Sequence, residues 1–202
     1  MSISILSKPT KYKLLIVDDE PSIFKLTELS LKNLQYQGVG IQYLCASSGE
    51  KAIEIMRSNP DVAVMLLDIV METKTAGLDA CRVIRTELKN SFVRILLRTG
   101  QPSIASEKEI ITRYDVDGYL LKSELTSARL YTSVLMAIKA WSELIEIERQ
   151  REYLGTVHDS VIALHSYATF EENMGHILEA AVTLCPTSLA IMRLDTFDKA
   201  SR

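Results

Sequence analysis

Two short apolar runs that each stop on aspartate constrain this chain more than any other feature. Lys13-Leu14-Leu15-Ile16-Val17 ends at Asp18-Asp19, and the run over residues 62–67 ends at Asp68. A nearly continuous apolar run of this length suits a strand covered on both faces, the situation of a strand inside a parallel sheet. An acid abutting such a run has to sit at the sheet's edge or find a partner, because an unpaired carboxylate is costly to bury.

The same alternation extends along the chain. After Pro21, the residues Ile23, Leu26, Leu29, Leu31 and Leu34 recur at helical spacing until Gly38 and Gly40 break the pattern. A strand over 41–46, a helix over 49–57 and the strand over 62–67 follow. Beyond a loop rich in Thr and Lys come a helix over 78–88, a strand over 93–97, a helix over 104–114 and a short strand over 119–121. Five strand–helix units predict an α/β fold, a parallel sheet between two helical layers, with functional groups at the carboxyl ends of the strands.

From residue 124 the texture changes. Leu130, Val134, Ala137, Trp141 and Leu144 fall three and four apart, which predicts one long helix. Its apolar stripe continues less regularly through Leu154, Val157, Val161 and Leu164, enough for a coiled coil over parts of it. The chain thus divides into a tail over 1–10, a domain over 11–126, a long linker helix over 127–155 and a segment over 156–202. That last segment, with a helix near 170–184, a break at Pro186 and a strand over 188–194, is too short for a core of its own. It reads as the opening of a further domain that the chain cuts short, or as elements that fold only on a dimer partner. A stripe this long needs cover: Trp141 and the apolar positions near it either form a dimer seam or pack back onto the domain, and the preferred reading is a homodimer through that helix.

Composition removes several function classes. The chain has 26 acidic and 23 basic side chains, a formal net charge of -3, and no basic stripe, so direct DNA binding is not expected. Cys45, Cys81 and Cys185 are odd in number and form no CxxC pair, which suits reduced thiols in the cytoplasm. The first twelve residues lack the basic-then-apolar pattern of an export leader, and no run approaches the ~20 apolar residues of a membrane span.

The acids carry the chemistry. Asp18, Asp19 and Asp68 converge at one edge of the predicted sheet, where they repel one another unless a cation shares them. Magnesium suits that role, since it takes one or two carboxylates, keeps waters and leaves room for phosphate oxygens. Thr99 after the fourth strand can donate a hydrogen bond to a phosphoryl oxygen, and Lys122 after the fifth brings a positive charge. Singly, each has a plainer explanation. Acids suit a helix start, Thr99 before Gly100 suits a turn, and Lys122 suits a solvated surface. Together, at the ends of strands one, three, four and five, they point to an aspartyl-phosphate site.

At this point the chain resembles the receiver domain of two-component response regulators. The resemblance rests on Leu15-Ile16-Val17-Asp18-Asp19-Glu20-Pro21, Leu66-Leu67-Asp68-Ile69-Val70-Met71 with Gly77, Thr99, and Gly118-Tyr119-Leu120-Leu121-Lys122, and covers about residues 11–126. It implies a flavodoxin-like (βα)5 doubly wound sheet of order 2-1-3-4-5. It implies phosphoryl transfer to Asp68 from a sensor histidine kinase or a phosphotransfer protein. Magnesium would be bound by Asp19 and Asp68, by Asp18 largely through water, and by the backbone carbonyl of Val70. Thr99 and Tyr119 are similar to the family's switch pair. The sequence departs from the usual pattern at Glu72 and Ser123, where Pro is common, at Gly100, where Ala is common, and in a loop from 68 to 77 that is one residue longer. The strings around Val70-Met71-Glu72-Thr73, Leu97-Arg98-Thr99-Gly100-Gln101-Pro102 and Lys122-Ser123-Glu124-Leu125-Thr126 resemble a bacterial subgroup. In it the receiver precedes a GAF-like region and often an HD-GYP cyclic-di-GMP phosphodiesterase, an output that would lie beyond this chain.

Two rival readings fit these residues less well. A haloacid-dehalogenase type hydrolase needs a general acid two residues after its nucleophile, where this chain has Val70. A receiver-fold scaffold acting without phosphorylation would not need the five-residue set to be intact. His158-Asp159 reads as a helix-face pair, not a relay, and His158, His165 and His176 make a poor ligand set for a borderline metal.

Overall fold

The computed structural model describes residues 9–100 and 107–165, together with 175 and 177. The chain divides into two compact units, Met1–Glu146 and Ile147–Arg202. In the first, five strands form one parallel sheet: β1 (Tyr12–Val17), β2 (Ile41–Ala46), β3 (Val62–Asp68), β4 (Arg94–Thr99) and β5 (Gly118–Leu121), in the order β2-β1-β3-β4-β5. The helices are α1 (Pro21–Ser30), α2 (Gly49–Ser58), α3 (Ala76–Thr86), α4 (Glu107–Tyr114) and α5 (Ser127–His165). The alternation of strands and helices predicts the parallel α/β sheet, and this flavodoxin-like (βα)5 order is the one that the resemblance implies.

The strands alternate their side chains between two cores. Leu14, Ile16, Leu66, Leu96 and Leu120 face a cluster that Leu31, Leu34, Leu130, Val134, Ile138 and Trp141 complete, so α1 and α5 cover this face. Leu15, Val17, Met65, Leu67, Ile95 and Leu97 face Ala52, Met56, Cys81, Ile84 and Ile110 on α2, α3 and α4. All seven residues of β3 are buried, as expected of the central strand of a sheet covered on both sides.

Several boundaries differ from the periodic reading for local reasons. Helix α1 stops at Ser30, where Leu31 leaves helical geometry, and the chain turns. As a result Leu31 and Leu34 pack into the core while Leu26 and Leu29 are 59% and 70% exposed. Thr27 is the buried residue of that helix. Strands β3 and β4 include Asp68 and Thr99 as their last residues, so both groups are held by the ladder. A short 3-10 turn, Lys122–Glu124, separates β5 from α5, and α5 passes through Gly155 to His165. The residues expected to open the fourth helix and those of the expected elements over 170–184 and 188–194 lie outside the described residues, apart from 175 and 177.

Trp141 anchors the start of α5. It is buried and meets the Tyr12 ring edge-on with centroids 6.0 Å apart. Leu130, Val134, Ala137 and Trp141 thus pack back onto the sheet and are not the exposed stripe of a dimer seam, because Leu14, Ile16 and Leu66 already cover them. Removing a buried indole leaves a cavity, so Trp141→Ala should cost about 3–5 kcal/mol in urea unfolding followed by circular dichroism. A loss below about 1 kcal/mol would contradict the packing described here.

Candidate functional site

The carboxyl ends of β1, β3, β4 and β5 bring the expected groups to one rim. Asp18 follows β1 and continues its ladder by donating its N–H to the Ala46 carbonyl at 3.1 Å. By strand alternation its side chain falls on the side of Leu14 and Ile16, where it is completely buried. Its Oδ1 accepts the Glu20 N–H at 3.0 Å, and its Oδ2 accepts from Arg98 Nη2 at 2.7 Å and lies 3.1 Å from Lys122 Nζ. Asp68 Oδ2 accepts from Lys122 Nζ at 2.6 Å. Asp19 is exposed, and one carboxylate oxygen from each of Asp18, Asp19 and Asp68 lies within 4.8 Å of the others.

This set is electrostatically unfinished. Asp68 is buried, yet its Oδ1 has no hydrogen-bond partner. Burial pushes the Asp68 pKa up, the charge of Asp18 adds to that, and Lys122 together with the Val70 backbone amide only partly offsets it. Burial works against the Lys122 ammonium as well, but its hydrogen bonds and ion pairs with Asp68 and Asp18 outweigh it, and its pKa is raised. A crowded oxygen set with an unpartnered buried acceptor fits a small hard cation, and a divalent ion there would reverse the upward push on Asp68. The donor set therefore fits magnesium.

The loop after Asp68 is held by two close approaches. The Gly77 N–H donates to the Ile69 carbonyl at 3.1 Å, and a Cβ on Gly77 would collide with the Asp68 carbonyl oxygen. Only glycine lets α3 begin this near the end of β3. Glu72 adds no fourth acid to the cluster. Its Oε1 accepts the Gly49 N–H at 3.0 Å, at the start of α2, where an acid meets the positive end of the helix. The departure from Pro at this position thus ties the loop to a neighbouring helix.

Thr99 is buried at the end of β4, and Lys122 opens the 3-10 turn after β5. Tyr119 is half-buried and packs on the face covered by α2, α3 and α4. Val70 follows Asp68 in the loop with its side chain exposed. His158 is exposed on α5, whereas the side chain of His165 and all of His176 lie outside the described residues.

Arg98 is the residue that reading the sequence missed. It is in phase with Leu96 on the α1–α5 face of β4, it is 3% exposed, and its Nη1 reaches Thr27 Oγ1 at 3.3 Å while Nη2 pairs with Asp18. A signal was present. A cation at an inward position of an otherwise apolar strand requires a buried acid, and Asp18 is the acid at the matching height. Breaking a buried pair of this kind strands the other charge and costs about 3–5 kcal/mol.

Comparison with known proteins adds the following. The family model for the response regulator receiver domain matches residues 14–134. The 3'3'-cGAMP-specific phosphodiesterase 2 of Vibrio cholerae is 38% identical over 163 residues, 77% of this chain and 31% of that protein. The regulatory protein VanR of Enterococcus faecium is 29% identical over 184 residues, 90% of this chain and 71% of that protein. In fold, the signal receiver domain of a LuxO repressor protein from Vibrio parahaemolyticus superposes with a TM-score of 0.58 at 19% identity, covering 68% of this chain and 98% of that one. The chain spans about a third of the length of the Vibrio phosphodiesterase and 40% of a transcriptional regulator, ycf27, of Guillardia theta.

Gly77→Ala should lower stability by more than about 2 kcal/mol, because the added methyl collides with backbone that cannot rotate away. A melting temperature equal to that of the wild type would contradict the close approach.

Proposed function

This chain belongs to the response regulator receiver domain family, and from that premise we propose that it is switched by phosphorylation of Asp68 in a magnesium-dependent reaction. The observation that carries the reading is the rim itself, where the buried Asp68 carboxylate has Lys122 on one oxygen and no partner on the other. The donor is a phosphohistidine on a sensor histidine kinase or a phosphotransfer protein. An Asp68 carboxylate oxygen forms a bond to phosphorus as the phosphorus–nitrogen bond breaks, and the electron pair returns to the imidazole of the donor.

The residues of the chain divide the work. Asp18, Asp19, Asp68 and the Val70 carbonyl would hold magnesium, which when bound neutralises charge on the transferring oxygens. Lys122 keeps Asp68 oriented and then balances the phosphoryl charge. The Thr99 hydroxyl donates to a phosphoryl oxygen, and the movement that this requires frees Tyr119 to turn inward. The population shift is read on the face formed by α4, β5 and α5. The exposed Leu26 and Leu29 on α1 give a partner an apolar surface beside the rim.

The match to the Vibrio phosphodiesterase supports membership of the subgroup in which a receiver precedes a GAF-like region and an HD-GYP output. We accordingly assign residues 11–126 to the receiver, 127–155 to a signalling helix and 156–202 to the beginning of a sensor-like region. No helix among the described residues is long and apolar enough to cross a membrane, in line with work in the cytoplasm. Ile147, Leu154 and Val161 are exposed at intervals of seven on α5, a spacing that supports a homodimer through this helix.

Acetyl phosphate with magnesium should add one phosphoryl group to the wild type, seen by intact mass, and none to Asp68→Asn or in the presence of a chelator. Equal labelling of Asp68→Asn would remove the proposal. For the helix, sedimentation with and without beryllofluoride should detect a dimer in the wild type that Leu154→Asp abolishes. A monomer under every condition would dispose of the dimer.

A further inference from the structure

Arg98 does something that the reaction above does not require. Its guanidinium crosses the end of β3, the strand between β1 and β4, to place Nη2 2.7 Å from Asp18 Oδ2. That carboxylate is one of the three whose oxygens cluster within 4.8 Å. The rim therefore sets three carboxylates against two cations, Lys122 and Arg98, where Lys122 alone would leave a more negative pocket. A fixed positive charge in contact with a metal-binding carboxylate repels a divalent ion through a medium of low dielectric, and it holds the oxygen that the ion or its water would take.

Arg98, though buried, also contributes to the lining of a cleft. A cleft of about 220 Å³ lies between α1 and the start of α5, lined by Leu26, Thr27, Arg98, Lys122, Leu125 and Leu130 among others. Arg98 Nε is buried there without a hydrogen-bond partner, and the Nη1 contact to Thr27 is a long 3.3 Å. The guanidinium is thus tightly held at one nitrogen, toward Asp18, and weakly held elsewhere. It has room to withdraw along the cleft without leaving the fold.

We propose that Arg98 is a built-in competitor of the divalent cation: it neutralises Asp18 when no metal is bound, lowers metal affinity, and turns toward the α1–α5 cleft when metal takes Asp18. This rests on the magnesium reading given above and deepens it, for it makes the cleft surface report on occupancy of the rim. Arg98 touches neither phosphoryl group nor metal in this scheme and acts as a positioning residue through Asp18.

Calorimetric titration of the full chain with magnesium chloride tests this in wild type, Arg98→Met and Arg98→Lys. Removing the charge should tighten magnesium binding about tenfold or more, as expected for a unit charge withdrawn from a partly buried site, while Arg98→Lys should stay near wild type. A second readout needs no variant. In wild type labelled with 15N-arginine, the slowly rotating guanidinium signal of Arg98 should lose its Asp18-locked character as magnesium is added. Equal affinity in all three proteins, or weaker binding by Arg98→Met, would overturn the competitor role while leaving the metal site standing. An Arg98 signal unmoved by saturating magnesium would overturn it even if Arg98→Met does not fold. Absence of magnesium binding in every protein would instead take down the underlying metal reading together with this inference.

Discussion

Everything at the functional end of this molecule depends on crowding acids where a parallel sheet delivers them. Strands β1 and β3 are neighbours and run in the same direction, β3 ending on Asp68 and β1 followed directly by Asp18, so their carboxylates meet without any special device. The core underneath is apolar, which makes each charge expensive and each partner specific. Lys122 and Arg98 offset part of that cost, and the unpartnered oxygen of Asp68 marks what they leave over. A site that is incomplete in this way favours the arrival of positive charge and of an electrophile.

The scaffold keeps those acids in place through contacts remote from them. Gly77 lets α3 press against the end of β3, and Glu72 fastens the intervening loop to α2. On the opposite edge of the sheet, Asp117 accepts the Ile95 N–H at 2.8 Å and pairs with Arg94 and Arg85, which sets where β4 begins. The register of β4 then fixes which of its residues end at the rim and on which face. Thr99 and Arg98 consequently look to opposite sides, one toward the α3–α4 face and the other toward α1 and α5.

Much of this was legible beforehand, for a physical reason. Apolar runs, breakers and terminal acids are local properties, and a parallel α/β fold turns local strand ends into a shared edge, so Asp18, Asp68, Thr99 and Lys122 could be placed from their positions alone. What escaped was set by tertiary partners. The exposure of Leu26 and Leu29 depends on where α1 stops, and helical periodicity continues past that point into Leu31 and Leu34. Arg98 escaped because its role requires knowing that Asp18 lies within one side chain's reach across an intervening strand. Glu72 stood out only as a departure from Pro, because the helix N-terminus that holds it is distant in sequence.

The central claim is that residue 68 itself carries the phosphoryl group. Borohydride reduces an acyl phosphate to an alcohol, so treating the phosphorylated protein and sequencing its peptides by mass locates the modified side chain. The account predicts homoserine at position 68 and unaltered aspartate at 18 and 19. Homoserine at 18 or 19, or phosphate that survives on histidine with residue 68 unchanged, would contradict it.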